Sequence, residues 1–277
     1  MKILELKSKA FISRLYHLIF YLKSAVSLCS LKVTRRYLPY RGSNVPLMRG
    51  WVINESLFRA SVKNLEELIN PYTHEFRWFI GKVYNGAFGS VDIELYYSMI
   101  RKYKPKLIIE IGSGCSTHFA MDALRKNRKG RFISIDPQPT RSLPKEVKQI
   151  RSKVEEVRLD FFEQLRKNDI LFFDSSHTTK EAEYHIKKIL PKLKEGVIIH
   201  HHDFLYPYAI YYQNDPKVFG EPDVLLNFYR HYPTAYKILI CASYVRDRYP
   251  EVINKVIKSY HWDPSRLPAS LWVRKIK

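Results

Sequence analysis

Lys106-Leu-Ile-Ile-Glu-Ile-Gly-Ser-Gly-Cys-Ser-Thr117 decides the fold, because an apolar run ends in an acid and then breaks into a glycine loop placed to open a helix. Ile108, Ile109 and Ile111 suit a strand covered on both faces. Gly112 and Gly114 permit a tight turn and a close approach of backbone to a ligand. Ser116 or Thr117 is placed to cap the helix expected over roughly residues 118–126, whose first N–H groups would face that ligand. Such a loop suits a nucleotide cofactor.

The dinucleotide fingerprint requires a third glycine three residues after Gly114, where Thr117 stands, so NAD is disfavoured. Further on, Arg131-Phe-Ile-Ser-Ile135 reads as a second strand ending in Asp136, the position of an acid that accepts hydrogen bonds from ribose hydroxyls. Beyond it the pattern predicts helix 143–150, strand 153–158, helix 160–167, strand 170–174, helix 179–193, strand 196–201, helix 222–231, strand 236–242 and a last strand near 270–275. This alternation argues for an α/β fold, a doubly wound, mostly parallel sheet with helices on both faces.

The chain here resembles the class I S-adenosylmethionine (SAM) dependent methyltransferases, whose first motif reads E-x-G-x-G and whose second strand ends in a ribose-binding acid. Glu110, Gly112, Gly114 and Asp136 match it. A closer resemblance is to a branch with an EIGSG-ST loop, a DILF-DSSH strand and an LK-GV-H-HD strand, found here in order at 110–117, 169–177 and 193–203. Phe173 replaces an isoleucine in the second block, an apolar exchange. The likeness spans about residues 89–245. It implies a Rossmann-like sheet of seven strands with the last antiparallel, SAM as methyl donor, and Glu110, Gly112, Ser113, Gly114, Asp136 and Asp174 as cofactor-binding residues. Residues 243–268 would be an insertion between the last two strands.

With 277 residues, 45% of them hydrophobic, the chain is long enough to bury a full core, and disorder is not expected. Cys29, Cys115 and Cys241 form neither a disulfide framework nor a zinc pattern, which fits a reducing compartment and a cytoplasmic protein. A formal charge of +20 implies attraction to something anionic without choosing among nucleic acid, membrane and acidic glycan. Nearly half of it lies in the first 50 residues, where Lys2, Lys7, Lys9, Arg14, Lys23, Lys32, Arg35, Arg36, Arg41 and Arg49 face only Glu5.

Within that segment Phe11, Ile12, Leu15, Leu18, Ile19 and Leu22 recur at helical spacing. They predict a basic amphipathic arm over 1–50, packed on the domain or a partner subunit, or lying on anionic lipid through residues 1–45. A helical connector over 51–88 and a catalytic domain over 89–277 complete the expected organisation.

Ligands of open parallel sheets sit over the carboxyl ends of the strands. Asp174 with Ser175, Ser176 and His177, and His200-His-His-Asp203, join Glu110 and Asp136 at those ends. Alternation sends His200 and His202 to one face and His201 to the other, so three histidine ligands for one metal are not expected. Asp174, His202 and Asp203 could still share a divalent ion, as in magnesium-dependent O-methyltransferases, but magnesium prefers oxygen and the histidines do not support it. Methyl transfer needs an aligned nucleophile and a proton acceptor, so His202 or Asp203, with His177 as rival, is the expected catalytic group. The alternative is that Ser175, Ser176 and Thr178 cap a helix and the histidines only satisfy neighbours. Tyr206, Tyr208, Tyr211 and Tyr212 suggest a lid or acceptor wall.

The sequence therefore points to SAM-dependent O-methylation of a small molecule, sugar or glycan precursor. An RNA methyltransferase is the first rival, and nucleic acid is disfavoured because Asp174-Ser-Ser-His177 stands where amino-methylating enzymes carry N/D-P-P-Y/F. A non-catalytic protein that keeps the fold as scaffold is the second.

Overall fold

Four apolar strands in the middle of the chain create the frame: β1 (Leu107–Ile111), β2 (Arg131–Ile135), β4 (Ile170–Phe173) and β5 (Ile198–His201). β1, β4 and β5 are buried along their whole length and β2 beyond its first residue, the condition that calls for Ile, Leu and Phe without alternation. With β3 (Lys148–Ile150), β6 (Tyr236–Cys241) and β7 (Leu271–Lys275) they form one seven-stranded sheet in the order β3-β2-β1-β4-β5-β7-β6. β7 is antiparallel to both neighbours and the other pairings are parallel, the arrangement expected from the sequence.

This computed structural model describes residues 55–78, 88–139, 141–205, 221–259 and 268–277. The chain divides into Met1–Val45 and Pro46–Lys277, and the described residues belong to the second unit. The basic arm and the lid tyrosines Tyr206, Tyr208, Tyr211 and Tyr212 lie outside them. No helix among the described residues is long and apolar enough to cross a membrane.

The helices, in chain order, are α1 (Glu55–Phe58), α2 (Ala60–Ile69), α3 (Ser90–Tyr103), α4 (Cys115–Asn127), α5 (Thr179–Tyr184), α6 (Glu221–His231), α7 (Ala242–Arg248) and α8 (Pro250–Val256). Consecutive strand residues point to opposite faces, and Phe172 and Phe173 show the result. Phe172 packs under Tyr96 of α3 at 5.0 Å between rings and stacks on His200 at 4.0 Å. Phe173 faces the other layer, 4.2 Å from His185 and 5.0 Å from His201. His200 in turn stacks on Trp272 at 3.8 Å, so three neighbouring strands share one aromatic column.

The expected α4 begins earlier than its capping hydroxyls suggested, at Cys115 with Gly114 as N-cap. The third strand is residues 148–150 rather than 153–158, and no helix fills 143–150. Pro144 has no N–H to give a helix, while Ser134 pairs with Gln149 across the β2–β3 ladder. Val154–Glu156 and Leu159–Gln164 are 3-10 turns, since Val154 with Val157 and Phe162 with Leu165 recur every three residues, the period of that helix. The helix expected over 179–193 is α-helical only to Tyr184. It widens to a π-turn over His185–Ile189 and closes as a 3-10 turn containing Pro191, whose missing N–H prevents an α-helical bond.

Residues 60–69, read from sequence as connector, lie against the sheet edge. Asn64 Nδ2 donates to Leu239 O at 2.7 Å, and Ser61 Oγ accepts from Cys241 N at 3.1 Å. The 243–268 insertion contributes α7 and α8, and the chain after α8 is held by Glu94, which accepts from Lys258 N at 3.1 Å and Ser259 N at 2.5 Å. Burial raises the Glu94 carboxyl to about 7 despite those bonds.

Gly112 is the tightest point of the frame. Its φ is +90°, and a Cβ there would stand 1.8 Å from the carbonyl oxygen of Asp174. Gly114 has nothing within 4 Å of a Cβ. Gly112→Ala is therefore expected to cost more than about 2 kcal/mol in urea unfolding, and Gly114→Ala less than about 1 kcal/mol. Equal losses would show that the clash is not what fixes this turn.

Candidate functional site

β1, β2, β4 and β5 end on the same side of the sheet, and each ends in a polar residue or a turn carrying one. Glu110, the penultimate residue of β1, is fully buried. Ser116 Oγ donates to its Oε1, and Thr117 Oγ1 donates to its Oε2 at 2.5 Å. Thr117 Oγ1 also accepts from Gly114 N at 3.2 Å. Glu110 therefore ties the glycine loop to the first turn of α4. Burial raises its carboxyl to about 8, against the pull of the two hydroxyls.

Asp136 stands beyond β2, half-buried. Its Oδ2 accepts from Ser113 Oγ at 2.6 Å and its Oδ1 from Gln138 N at 2.8 Å. Loop and second-strand acid are thus joined directly, and carboxylate lone pairs remain for further donors. Cys115, the first residue of α4, is buried and its thiol is pushed up by burial, which suits an inert packing residue.

The second half of the site lies over β4 and β5. Asp174 N donates to Ile111 O at 2.9 Å and His202 N to Phe173 O at 3.0 Å, so both side chains leave the sheet at one level. His177 and Asp203 have φ of +56° and +55°. Such angles are uncommon outside glycine, with Asp and His among the residues that tolerate them. They turn the two side chains toward each other, with His177 Nε2 lying 3.1 Å from Asp203 Oδ2 and 3.5 Å from Asp174 Oδ1. On the other side of the ring, Nδ1 is 2.8 Å from Glu221 Oε2, at the start of α6.

His202 is buried among three acids. Its Nδ1 lies 3.2 Å from Asp174 Oδ1 and 3.5 Å from Asp203 Oδ1, and its Nε2 lies 3.8 Å from Asp92 Oδ2, with no well-aligned hydrogen bond to any of them. Asp92 is itself used by backbone, accepting from Ala269 N and Ser270 N.

Electrostatics separate the histidines into two groups. Burial opposes charge on His177 and His202, but the surrounding carboxylates outweigh it and hold both well above the usual imidazole range. Burial likewise opposes charge on Asp174, and the His202 and His177 rings override it, holding the carboxyl below its usual range. Glu221 is raised, because burial exceeds the effect of its bond to His177. His200 and His201 are lowered by burial, and His185 falls to about 3. His200 bonds Ser270 Oγ at 2.8 Å and His201 bonds Tyr229 OH at 2.7 Å, so these two serve the core, on opposite faces as alternation requires.

Ser175 and Ser176 face Glu181, with Ser175 Oγ donating to its Oε1 at 2.8 Å and Ser176 N to its Oε2 at 3.0 Å. Thr178 Oγ1 accepts from Glu181 N at 3.2 Å. The capping alternative accounts for these three residues and leaves Asp174 and His177 free for the site. Asp174, His177 and Asp203 place one ligand atom each within 4.8 Å of one another, a spacing at which a divalent ion can be shared. His177 takes the part the sequence suggested for His202. Two carboxylates and an imidazole are not the all-oxygen set that magnesium prefers.

Sequence reading thus named Asp174, His177, His202 and Asp203, which the structure brings together, and missed Glu221 and Asp92. Both missed acids sit in the first turn of a helix, where an acid is ordinarily read as complementing the helix dipole.

Residues 109–204 match the family model described as a methyltransferase domain. This segment is a methyltransferase domain. It contains Glu110, Asp136, Asp174, His177, His202 and Asp203, and it ends before Glu221. An uncharacterized protein of Archaeoglobus fulgidus is 37% identical over 94 residues, which are 31% of this chain and 42% of that protein. The chain thus covers under half the length of that curated relative. Among solved structures, SAH-bound methyltransferase PaMTH1 of Podospora anserina is similar at 16% identity, covering 86% of this chain and 100% of that one, with a TM-score of 0.45. The O-methyltransferase TomG of Streptomyces achromogenes is similar at 11% identity over 82% and 100% of the two chains, with a TM-score of 0.46. The strand order of the methyltransferase domain, rather than these distant likenesses, establishes the fold.

The two histidine groups give a direct expectation. A histidine raised by carboxylates stabilises the fold below its unfolded pKa, an effect lost as pH rises through the folded value, and the depressed Asp174 contributes above its unfolded pKa until pH falls to its folded one. Nitrogen-15 imidazole spectra at about pH 7.5 should show His177 and His202 protonated and His185, His200 and His201 neutral. A neutral His177 and His202 at that pH would contradict the charge pattern.

Proposed function

We propose that the protein is a SAM-dependent methyltransferase that methylates oxygen on a small-molecule or glycan acceptor. The observation that carries the reading is the glycine loop, open above Gly114 and linked through Ser113 to the carboxylate of Asp136. SAM fits these residues. The N–H groups opening α4 and the space over Gly114 suit its amino-acid half, and Asp136 suits its ribose hydroxyls. When bound, SAM supplies a methyl group already activated as a sulfonium.

The chain's own residues then have to align the acceptor and take its proton. Asp203 is the most open of the clustered acids, with 32% of its side chain accessible, so it is the group we assign to accept the hydroxyl proton as the new oxygen–methyl bond forms. His177, oriented by Glu221, lies 3.1 Å from that carboxylate and holds it in place. His202 holds Asp174 and Asp203 against their mutual repulsion and is too buried to meet an acceptor. In this reading no metal is required, because two imidazolium rings already supply positive charge between the acids.

The experiment has two arms. Asp136→Ala should weaken SAH binding by at least about tenfold in calorimetry, through loss of charge-assisted hydrogen bonds. Asp203→Asn should leave that affinity within about threefold and lower SAH release by about a hundredfold with a panel of hydroxylated acceptors. Unchanged affinity in the first removes Asp136 from the cofactor site. Undiminished turnover in the second removes Asp203 as base.

A further inference from the structure

Each of the six strands that run in one direction has an exposed cation within its first two residues or in the four residues before it. Lys148 and Arg131 are the first residues of β3 and β2, and Lys106 precedes β1. Lys167 and Lys194 precede β4 and β5, and Lys237 lies at the start of β6. Strands lie about 4.8 Å apart, so these side chains mark a line of roughly 29 Å along the sheet end opposite the crevice. None of the six has an ion-pair partner among the described residues. The nearest acids in sequence are otherwise engaged or few: Asp169 is buried and accepts from the N–H groups of Lys106, Leu107 and Arg166, Glu146 is paired with Arg125 at 2.8 Å, and Glu195 is exposed.

The opposite end of the same strands carries Asp136, Asp174 and Asp203, so the domain has a charge axis along its strands. Helix C-termini favour cations and account for residues such as Lys102 and Arg125. They do not account for Lys148, Arg131 and Lys237, which lie inside β3, β2 and β6 beyond the last turn of any helix.

We propose that this strand-start end is a docking surface for an anionic lipid bilayer, which holds the crevice on the side away from the membrane. The charge axis favours lipid over nucleic acid. A polyanionic acceptor would be drawn to the end remote from the chemistry and repelled by the acids at the crevice. Single-stranded nucleic acid also needs a succession of free aromatic faces. At this end Tyr103 is covered by Arg274 at 4.8 Å, and Tyr232, in the turn before β6, is with 52% the most exposed large hydrophobic side chain among the described residues. An exposed tyrosine close in sequence to Lys237 suits the headgroup level of a bilayer. The proposal rests on residues of the Pro46–Lys277 unit alone and does not depend on the methyltransferase reading.

The test compares full-length proteins in co-sedimentation with vesicles of equal parts phosphatidylglycerol and phosphatidylcholine, and of phosphatidylcholine alone. K106Q/R131Q/K167Q/K194Q should lower partitioning onto the anionic vesicles by at least about tenfold. A control with the same loss of charge elsewhere, K63Q/R151Q/K153Q/K180Q, should lower it by less than about threefold. Graded losses across the four single variants, all of exposed side chains, keep the test decisive if a quartet fails to fold. Equal losses in both quartets would reduce the effect to net charge and overturn the proposal. So would unchanged vesicle binding in the first quartet, or a loss confined to binding of polyuridylate.

Discussion

The backbone of Gly112 runs so close to the Asp174 carbonyl that no side chain fits between them, and this contact joins the two halves of the crevice. The glycine loop on one side and the acid–imidazole cluster on the other are therefore held at a fixed separation by the β1–β4 pairing. Glu110 strengthens the same joint from below. It is buried at a cost in solvation and keeps its place by accepting from both hydroxyls at the start of α4. A strand, a turn and a helix are thereby locked into one unit whose open side faces the ligand.

Over β4 and β5 the problem is one of charge. Asp174, Asp203, Glu221 and Asp92 approach two imidazole rings, and neither acids nor rings would be stable there alone. The carboxylates hold His177 and His202 protonated, and the rings keep Asp174 ionised. The two uncommon backbone angles, at His177 and Asp203, fall on the pair that meets across the opening. Strain placed on interacting polar side chains at a strand end is a feature of sites rather than of cores.

The frame was legible in the sequence because its strands are buried on both faces. Runs such as Ile170-Leu-Phe-Phe173 leave little alternative, and the glycine loop fixes where the first one stops. The edge was not legible. β3 is three residues long and its first two are exposed, so no apolar run marks it, and the 3-10 turns after it mimic short helical patterns. Within the site, Asp174, His177, His202 and Asp203 could be named because they follow strands directly. Glu221 could not, since it lies 44 residues from His177 and reaches it only through the packing of α6. Nor could the division of labour among three consecutive histidines be read before their partners Ser270, Tyr229 and Asp92 were in view.

The central claim is that the loop at 112–117 and the acid at 136 receive a methyl donor. Hydrogen–deuterium exchange with and without SAH addresses it at the residues concerned. The account predicts slowed exchange of the N–H groups over 112–117 and around Asp136 when SAH is added, and no such change with NAD. Absence of protection there, or the same protection with NAD, would contradict it.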